Sequence, residues 1–193
     1  MRWVTPALHL GSAALIAAIV IAGCDLLGSR ASRSPIPSPT ADEAYLLSGI
    51  RPDAAIDCVP VRSALPAGAV GAVECSPNEG AVDRFRVTLF TFPDDLLALY
   101  FAEMTAHGVA LNSGGCVNGN GESTYIPGPD DASVRYRNGC FVADAANFRA
   151  VAPGGQVYIA IVGKSKEVSA QLDAYAWQGN RDTPGAPTLW RAP

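Results

Sequence analysis

Val82-Asp83-Arg84-Phe85-Arg86-Val87-Thr88-Leu89-Phe90 is the stretch that decides the fold. Phe85, Val87 and Leu89 fall on one face of an extended chain, and Arg84, Arg86 and Thr88 on the other. A period of two with one apolar face marks a half-buried antiparallel strand. Pro93-Asp94-Asp95 then opens a helix, with proline in the first turn and acids at the positive end of the dipole. Leu96, Leu97, Tyr100, Phe101 and Met104 form its apolar stripe, and His107-Gly108 closes it. A strand running into an amphipathic helix predicts an α+β domain, an antiparallel sheet with helices packed against it.

Working outward, Ala41 to Leu47 reads as a short helix ending near Gly49, and Ala69 to Cys75 as a short apolar strand. Beyond the central helix, Val134 to Tyr136 and Gly139 to Ala143 read as strands. Gln156 to Val162 is a continuous apolar run suited to a central strand covered on both faces. Ser165 to Trp177 is expected to be a helix that places Val168, Leu172, Tyr175 and Ala176 on one side. Cys75 and Cys140 each sit at a strand ahead of a strand-then-helix unit, and Cys58 and Cys116 each lie in the preceding loop. This grammar suggests two pseudo-repeated halves. It also suggests two disulfides, Cys58 with Cys75 and Cys116 with Cys140, although four cysteines allow three connectivities and the other two stay open. No cysteine pair has the C-x-x-C spacing of a zinc site, so no metal and no cofactor are expected.

The fifth cysteine needs its own account, because an odd count in an exported chain leaves one unpaired. Met1-Arg2-Trp3 is a weakly basic start, Leu10 to Ala22 is apolar, and Val20-Ile21-Ala22-Gly23-Cys24 resembles the lipobox of bacterial lipoproteins. The resemblance implies a signal peptide over residues 1–23, cleavage before Cys24, and membrane attachment through acyl chains such as palmitate on that cysteine. An uncleaved transmembrane helix is the competing reading. Val4 to Leu27 is nearly long enough, but it carries Pro6, His9 and Asp25 and lacks a basic stop-transfer cluster. Residues 24–40 form a Ser/Pro-rich tether, residues 41–180 the extracytoplasmic domain, and residues 181–193 a Pro/Gly-rich tail expected to be loose. The expected location is the outer, extracytoplasmic face of the cell membrane. Net charge −4 and pI about 5.1 argue against nucleic acid as a partner.

Several short motifs carry a family likeness. They are Tyr45-Leu46-Leu47-Ser48-Gly49-Ile50 running into Ile56-Asp57-Cys58, and Gly71-Ala72-Val73-Glu74-Cys75-Ser76-Pro77. Val82-Asp83 with Leu89-Phe90, Gly121-Glu122 with Tyr125, Asn138-Gly139-Cys140 and Tyr175-Ala176-Trp177 complete the set. Together they resemble an extracytoplasmic module found C-terminal to some actinobacterial and Chloroflexota Ser/Thr protein kinases. The chain departs from that module at Val157-Tyr158-Ile159-Ala160-Ile161-Val162-Gly163, where the family often has a tryptophan-rich strand followed by acids. The resemblance implies a displayed binding or sensory domain and carries no activity with it.

No catalytic residue is assigned. His107 is the only histidine after the signal segment, and at a helix end before glycine it complements the dipole. Ser113 in Leu111-Asn112-Ser113-Gly114-Gly115 is not a nucleophile elbow. Asp94 and Asp95 are neighbours on a helix and point apart, and Asp130-Asp131 follow Gly-Pro in a turn. Asn118-Gly119-Asn120-Gly121-Glu122 lacks the carboxylates that calcium needs and reads as a flexible loop. The sharpest pattern is arginine: Arg84 with Arg86, and Arg135 with Arg137, each share a strand face. Were the two strands near neighbours, the four would form an anion-binding surface for an envelope polymer, a lipid headgroup or an envelope protein. The alternative is a solvated face paired with acids.

The expected function is a lipid-anchored, non-catalytic binding or sensory module. A structural or assembly role beside an envelope complex is second, and an envelope hydrolase third. The anchor is tested by metabolic labelling with a palmitate analogue: wild type takes up label, and Cys24→Ser takes up none and accumulates at precursor length. Equal labelling of the variant contradicts the anchor.

Overall fold

The computed structural model describes residues 37–78, 80–116, 119–125, 136–152, 155–177, 189–190 and 193. The signal segment, Cys24, the tether to residue 36, Arg135 and residues 181–188 lie outside the described residues. Element order is α1 (Ala41–Gly49), β1 (Ala55–Pro60), β2 (Ala69–Pro77), β3 (Val82–Phe90), α2 (Pro93–Ala106), β4 (Gly121–Tyr125), β5 (Tyr136–Val142), β6 (Ala146–Val151), β7 (Val157–Gly163) and α3 (Ser169–Trp177). The seven strands form one antiparallel sheet in the order β1-β2-β3-β7-β6-β5-β4. The α+β class and the two disulfides, Cys58–Cys75 and Cys116–Cys140, are as expected.

The alternation in β3 sorts its residues between two cores. Phe85 and Val87 join Leu46 of α1, Ile159 and Ile161 of β7, Phe148 of β6 and Leu172 and Tyr175 of α3 in the larger one. Phe90, on the opposite face, joins Leu96, Tyr100 and Met104 of α2 with Phe141, Val151 and Tyr158. The apolar run Val157–Gly163 lies fourth of seven in the sheet and contributes to both cores, which is why it shows no polar face. Tyr100 and Met104 approach β5 at Gly139, where a Cβ would lie 2.9 Å from the Tyr100 hydroxyl. Both disulfides sit with the larger core and close sequence separations of 17 and 24 residues, each contributing ~3 kcal/mol on the loop-entropy model.

Three readings change. The tail expected to be loose ends in the core: Leu189 and Trp190 are buried, Trp190 pairs with Ile50, and its Nε1 donates to the Leu46 carbonyl at 3.2 Å. A Pro/Gly-rich approach hides such an anchor, because composition averages over the two residues that bury. The stretch expected to be a flexible Gly/Asn loop gives β4 from Gly121 onward, and Cys58 lies in β1 rather than in a loop. The pseudo-repeated halves are not confirmed. Three strands precede α2 and four lie between α2 and α3, and these helices lie on opposite faces of the sheet.

The junction with the tether is held by charge. Thr40 caps α1 in a reciprocal box with Glu43. Arg62 grips the same carboxylate through Nε at 2.9 Å and Nη2 at 2.8 Å, and its Nη2 also donates to the Ser38 carbonyl at 2.7 Å. The hydrogen bonds from Arg62 hold the Glu43 carboxyl down at about 2, against the opposing effect of burial. A depressed carboxyl stabilises the fold above its ordinary value of 4.5 and loses that contribution as pH falls toward 2. With allowance for the part-exposed arginine, wild type is expected to lose on the order of 2 kcal/mol more than Glu43→Gln across that window. Urea unfolding at stepped pH measures it, and parallel pH curves for the two proteins contradict it.

Candidate functional site

Helix α2 covers only part of its face of the sheet. The rest is an open trough whose floor is set by register. Glu74 of β2 lies opposite Arg86 of β3, Arg86 opposite Ala160 of β7, and Ala160 opposite Arg149 of β6. The small Ala160 is thus flanked by two arginines one strand away on either side, about 10 Å apart by the spacing of strands. The next pair in register sets Arg84 opposite Val162. Around this floor is a cavity of about 270 Å³, walled further by Pro66, Leu99 and Glu103. Arg84, Arg149 and Val162 also line a second cavity of about 560 Å³ that continues past Asn147, Asp144 and Lys164.

The charged groups in the trough are held, each by a named partner. Glu74 receives Arg86 Nε at 3.2 Å and Nη2 at 2.8 Å. Glu103, on α2, receives Arg149 Nε at 2.5 Å and the Tyr158 hydroxyl at 2.7 Å. Burial and then the Glu103 charge push the Tyr158 hydroxyl well above its ordinary value, although Arg149 opposes this, so it remains a neutral donor. Arg149 Nη1 also donates to the carbonyls of Phe148 and Ile161, and Nη2 to Asn147. Its guanidinium stands 5.0 Å from the Phe141 ring centroid, and His107 stacks on that ring at 3.7 Å. Arg84, the most exposed of the three arginines, donates to Asp83 at 2.7 Å. The trough therefore presents fixed guanidinium donors with known backing.

A second polar centre lies toward the β4 edge and is closed. Glu122 is fully buried and accepts from Arg137 Nη1 at 2.8 Å, from the Asn112 backbone N–H at 2.6 Å and from the Tyr100 hydroxyl at 3.2 Å. Its own N–H donates to Ser113 Oγ at 3.1 Å. Arg137 lies over the Phe101 ring at 4.9 Å. Burial, then the charge of Glu122, raises the Tyr100 hydroxyl far above its ordinary value. This carboxylate ties the 112–115 loop, α2 and β5 together, and its partners leave it no access to a ligand.

The four arginines read from sequence do not gather. Arg84 and Arg86 line the trough, but β7 and β6 stand between β3 and β5, so Arg137 is three strands away and bound to Glu122. Arg135 lies outside the described residues. The arginine that does join Arg84 and Arg86 is Arg149, which the sequence reading missed together with its strand. The signal was there in Asn147-Phe148-Arg149-Ala150-Val151, which alternates like β3 over fewer residues. Glu122 carried no usable signal, because its burial depends on distant partners. Of the other residues weighed, His107 caps α2, Asp94 and Asp95 occupy its first turn, and Ser113 serves Glu122. Among the described residues no cluster of three or more His, Cys, Asp or Glu is placed to hold a metal.

No family model matches the chain, and no curated protein or solved structure matches it.

Removing the charge of a buried carboxylate strands the arginine that pairs with it. Glu122→Gln is expected to cost about 3–5 kcal/mol in denaturant unfolding, whereas the half-exposed pair at Glu74→Gln costs about 1 kcal/mol or less. Equal costs at the two positions contradict the assignment of Glu122 as the structural carboxylate.

Proposed function

We propose that this chain is a non-catalytic binding module on the outer face of the cell membrane, anchored through lipid on Cys24, with the trough beside α2 as its ligand site. One observation carries this reading: the sheet face that α2 leaves open is where Arg84, Arg86 and Arg149 converge on a floor of Ala160 and Val162. Carboxylate backing makes Arg86 and Arg149 preorganised donors, since the entropy of placing their side chains is already spent in the free protein. Glu74 and Glu103 are engaged by these arginines, which suits a site that holds a ligand more than one that removes a proton from it. The lipobox-like run Val20-Ile21-Ala22-Gly23-Cys24 supports the anchoring half. The likeness to kinase-associated extracytoplasmic modules supports a sensory use of the same site. The partner is an envelope polymer, lipid headgroup or envelope protein.

The test is site-specific photocrosslinking in the native envelope with the full-length lipoprotein. A photoreactive residue at position 84, in the trough, is expected to capture envelope material. One at Gln171, exposed on α3 across the sheet, is expected to capture none. Capture from both positions alike, or from neither, contradicts the trough as the binding site.

A further inference from the structure

We infer that the trough binds a neutral sugar ring, held through two adjacent hydroxyl groups by the ion pair of Arg86 with Glu74, its C–H face over Ala160. This rests on the trough being the ligand site and adds the chemistry it selects. Charge excludes first. Arg84 is paired with Asp83, Arg86 with Glu74 and Arg149 with Glu103, so the arginines around the floor carry no net charge once their partners are counted. An ionic ligand would meet one attracting and one repelling group in every pair. What the pairs keep is hydrogen-bonding capacity. Nε and Nη2 of Arg86 both donate to one oxygen, Glu74 Oε2, so Glu74 Oε1 and Arg86 Nη1 have no partner among the described residues. Glu103 likewise takes Arg149 Nε and the Tyr158 hydroxyl on Oε2 alone, and its Oε1 has none among the described residues. Both carboxylates are part-exposed and line the cavity of about 270 Å³, so a ligand there meets these atoms.

The unused atoms then select the ligand. One ion pair offers an acceptor and a donor beside each other, both strengthened by charge. A hydroxyl can donate one hydrogen bond and accept others. Two hydroxyls on neighbouring carbons therefore fill the pair from one side: one donates to Glu74 Oε1, and the other accepts from Arg86 Nη1. A backbone amide does not, because a trans peptide points its N–H and C=O in opposite directions. Glu103 Oε1, beside Arg149, accepts from a further hydroxyl of the same glycan. Much of the remaining lining is apolar. Ala160 and Val162 on the floor and Pro66 and Leu99 in the walls meet the C–H groups of the ring, while the few placed polar groups fix its orientation. Of the β7 residues that line the cavity, Ala160 has the smallest side chain, and it leaves the room above the floor that the ring takes. The trough continues past Arg84 and Val162 into the second cavity, which gives space for the neighbouring units of a glycan chain.

The experiment titrates full-length lipoprotein, in micelles of a detergent without sugar headgroups, with cellotriose and mannotriose, following the backbone amide resonances of β3, β6 and β7. The matching uronic acid trimers, the permethylated trimers and N-acetyl-trialanine amide are the comparators. At least one neutral trimer is expected to shift Arg86, Ala160 and Arg149, and to bind about tenfold or more tightly than its acid, its permethylated form and the peptide. Glu74→Gln removes the negative half of the pair, and is expected to weaken the neutral trimer about tenfold and to turn the preference toward the acid. Because that change also releases Arg86, Ala160→Ile serves as a second variant. It fills the space over the floor with every ion pair kept, and is expected to abolish binding. Binding of neither neutral trimer overturns the inference, as does equal affinity for the acid, the permethylated form or the peptide, or a neutral preference that survives both substitutions. Capture of envelope material from position 84 without neutral-sugar binding would sink this inference and spare the trough. Sugar binding that shifts other residues and leaves the floor unmoved would sink both.

Discussion

The pairing of β3 with β7 is the constraint on which the rest of the molecule depends. The chain makes one meander before α2 and another after it, and this ladder alone joins them into a single sheet. Its register sets Val87 against Ile159 and Arg86 against Ala160. Because side chains alternate, a slip of one residue would exchange the buried and polar faces of everything attached. Held as it is, the ladder gives Phe85 and Val87 to the core under α1 and α3, and turns Arg84 and Arg86 toward α2. The β6–β7 register then delivers Arg149 to the same floor. The trough is thus a product of two registers meeting on one central strand, with Ala160 as their common member.

The outer strands are secured differently, by covalent bonds and a buried charge. A sheet of seven strands has two edges, and edges are where pairing frays. Cys58–Cys75 fastens β1 to β2 at one edge, and Cys116–Cys140 fastens the segment before β4 to β5 at the other. Glu122 adds to the second edge by binding Arg137, Tyr100 and the Asn112 amide at once. Gly121 beside it cannot carry a side chain, because a Cβ there would lie 2.7 Å from the Gly115 carbonyl oxygen. This edge, rather than the trough, holds the most deeply buried carboxylate of the described domain. The contrast separates a structural charge from the displayed ones: Glu122 has three protein donors and no exposure, whereas Glu74 and Glu103 each face an open cavity.

Much of this was legible in the chain where a signal is local. The alternation of β3, the proline and acids that start α2, and the apolar run of β7 each specify their element within about ten residues, and all three appear where expected. The two cysteine pairs are the ones that the order of loop and strand cysteines suggested, out of three connectivities that four cysteines allow. What escaped depends on partners far along the chain. Trp190 is buried by Leu46 and Ile50, more than a hundred residues away, and nothing in Pro-Thr-Leu-Trp announces it. The arginine surface was drawn from the wrong pair of strands, because strand order is not written in any one segment. Arg84 and Arg86 do share one floor, and the arginine beside them there is Arg149, brought by its register with β7.

The register of the central ladder is therefore the point to measure. In a nuclear Overhauser experiment on the isotope-labelled protein, backbone contacts should join Arg86 with Ala160 and Ala160 with Arg149, and Val87 with Ile159. Contacts that join Phe85 with Ala160, or β3 directly with β6, would contradict the account, because neither arrangement gathers the three arginines on one floor.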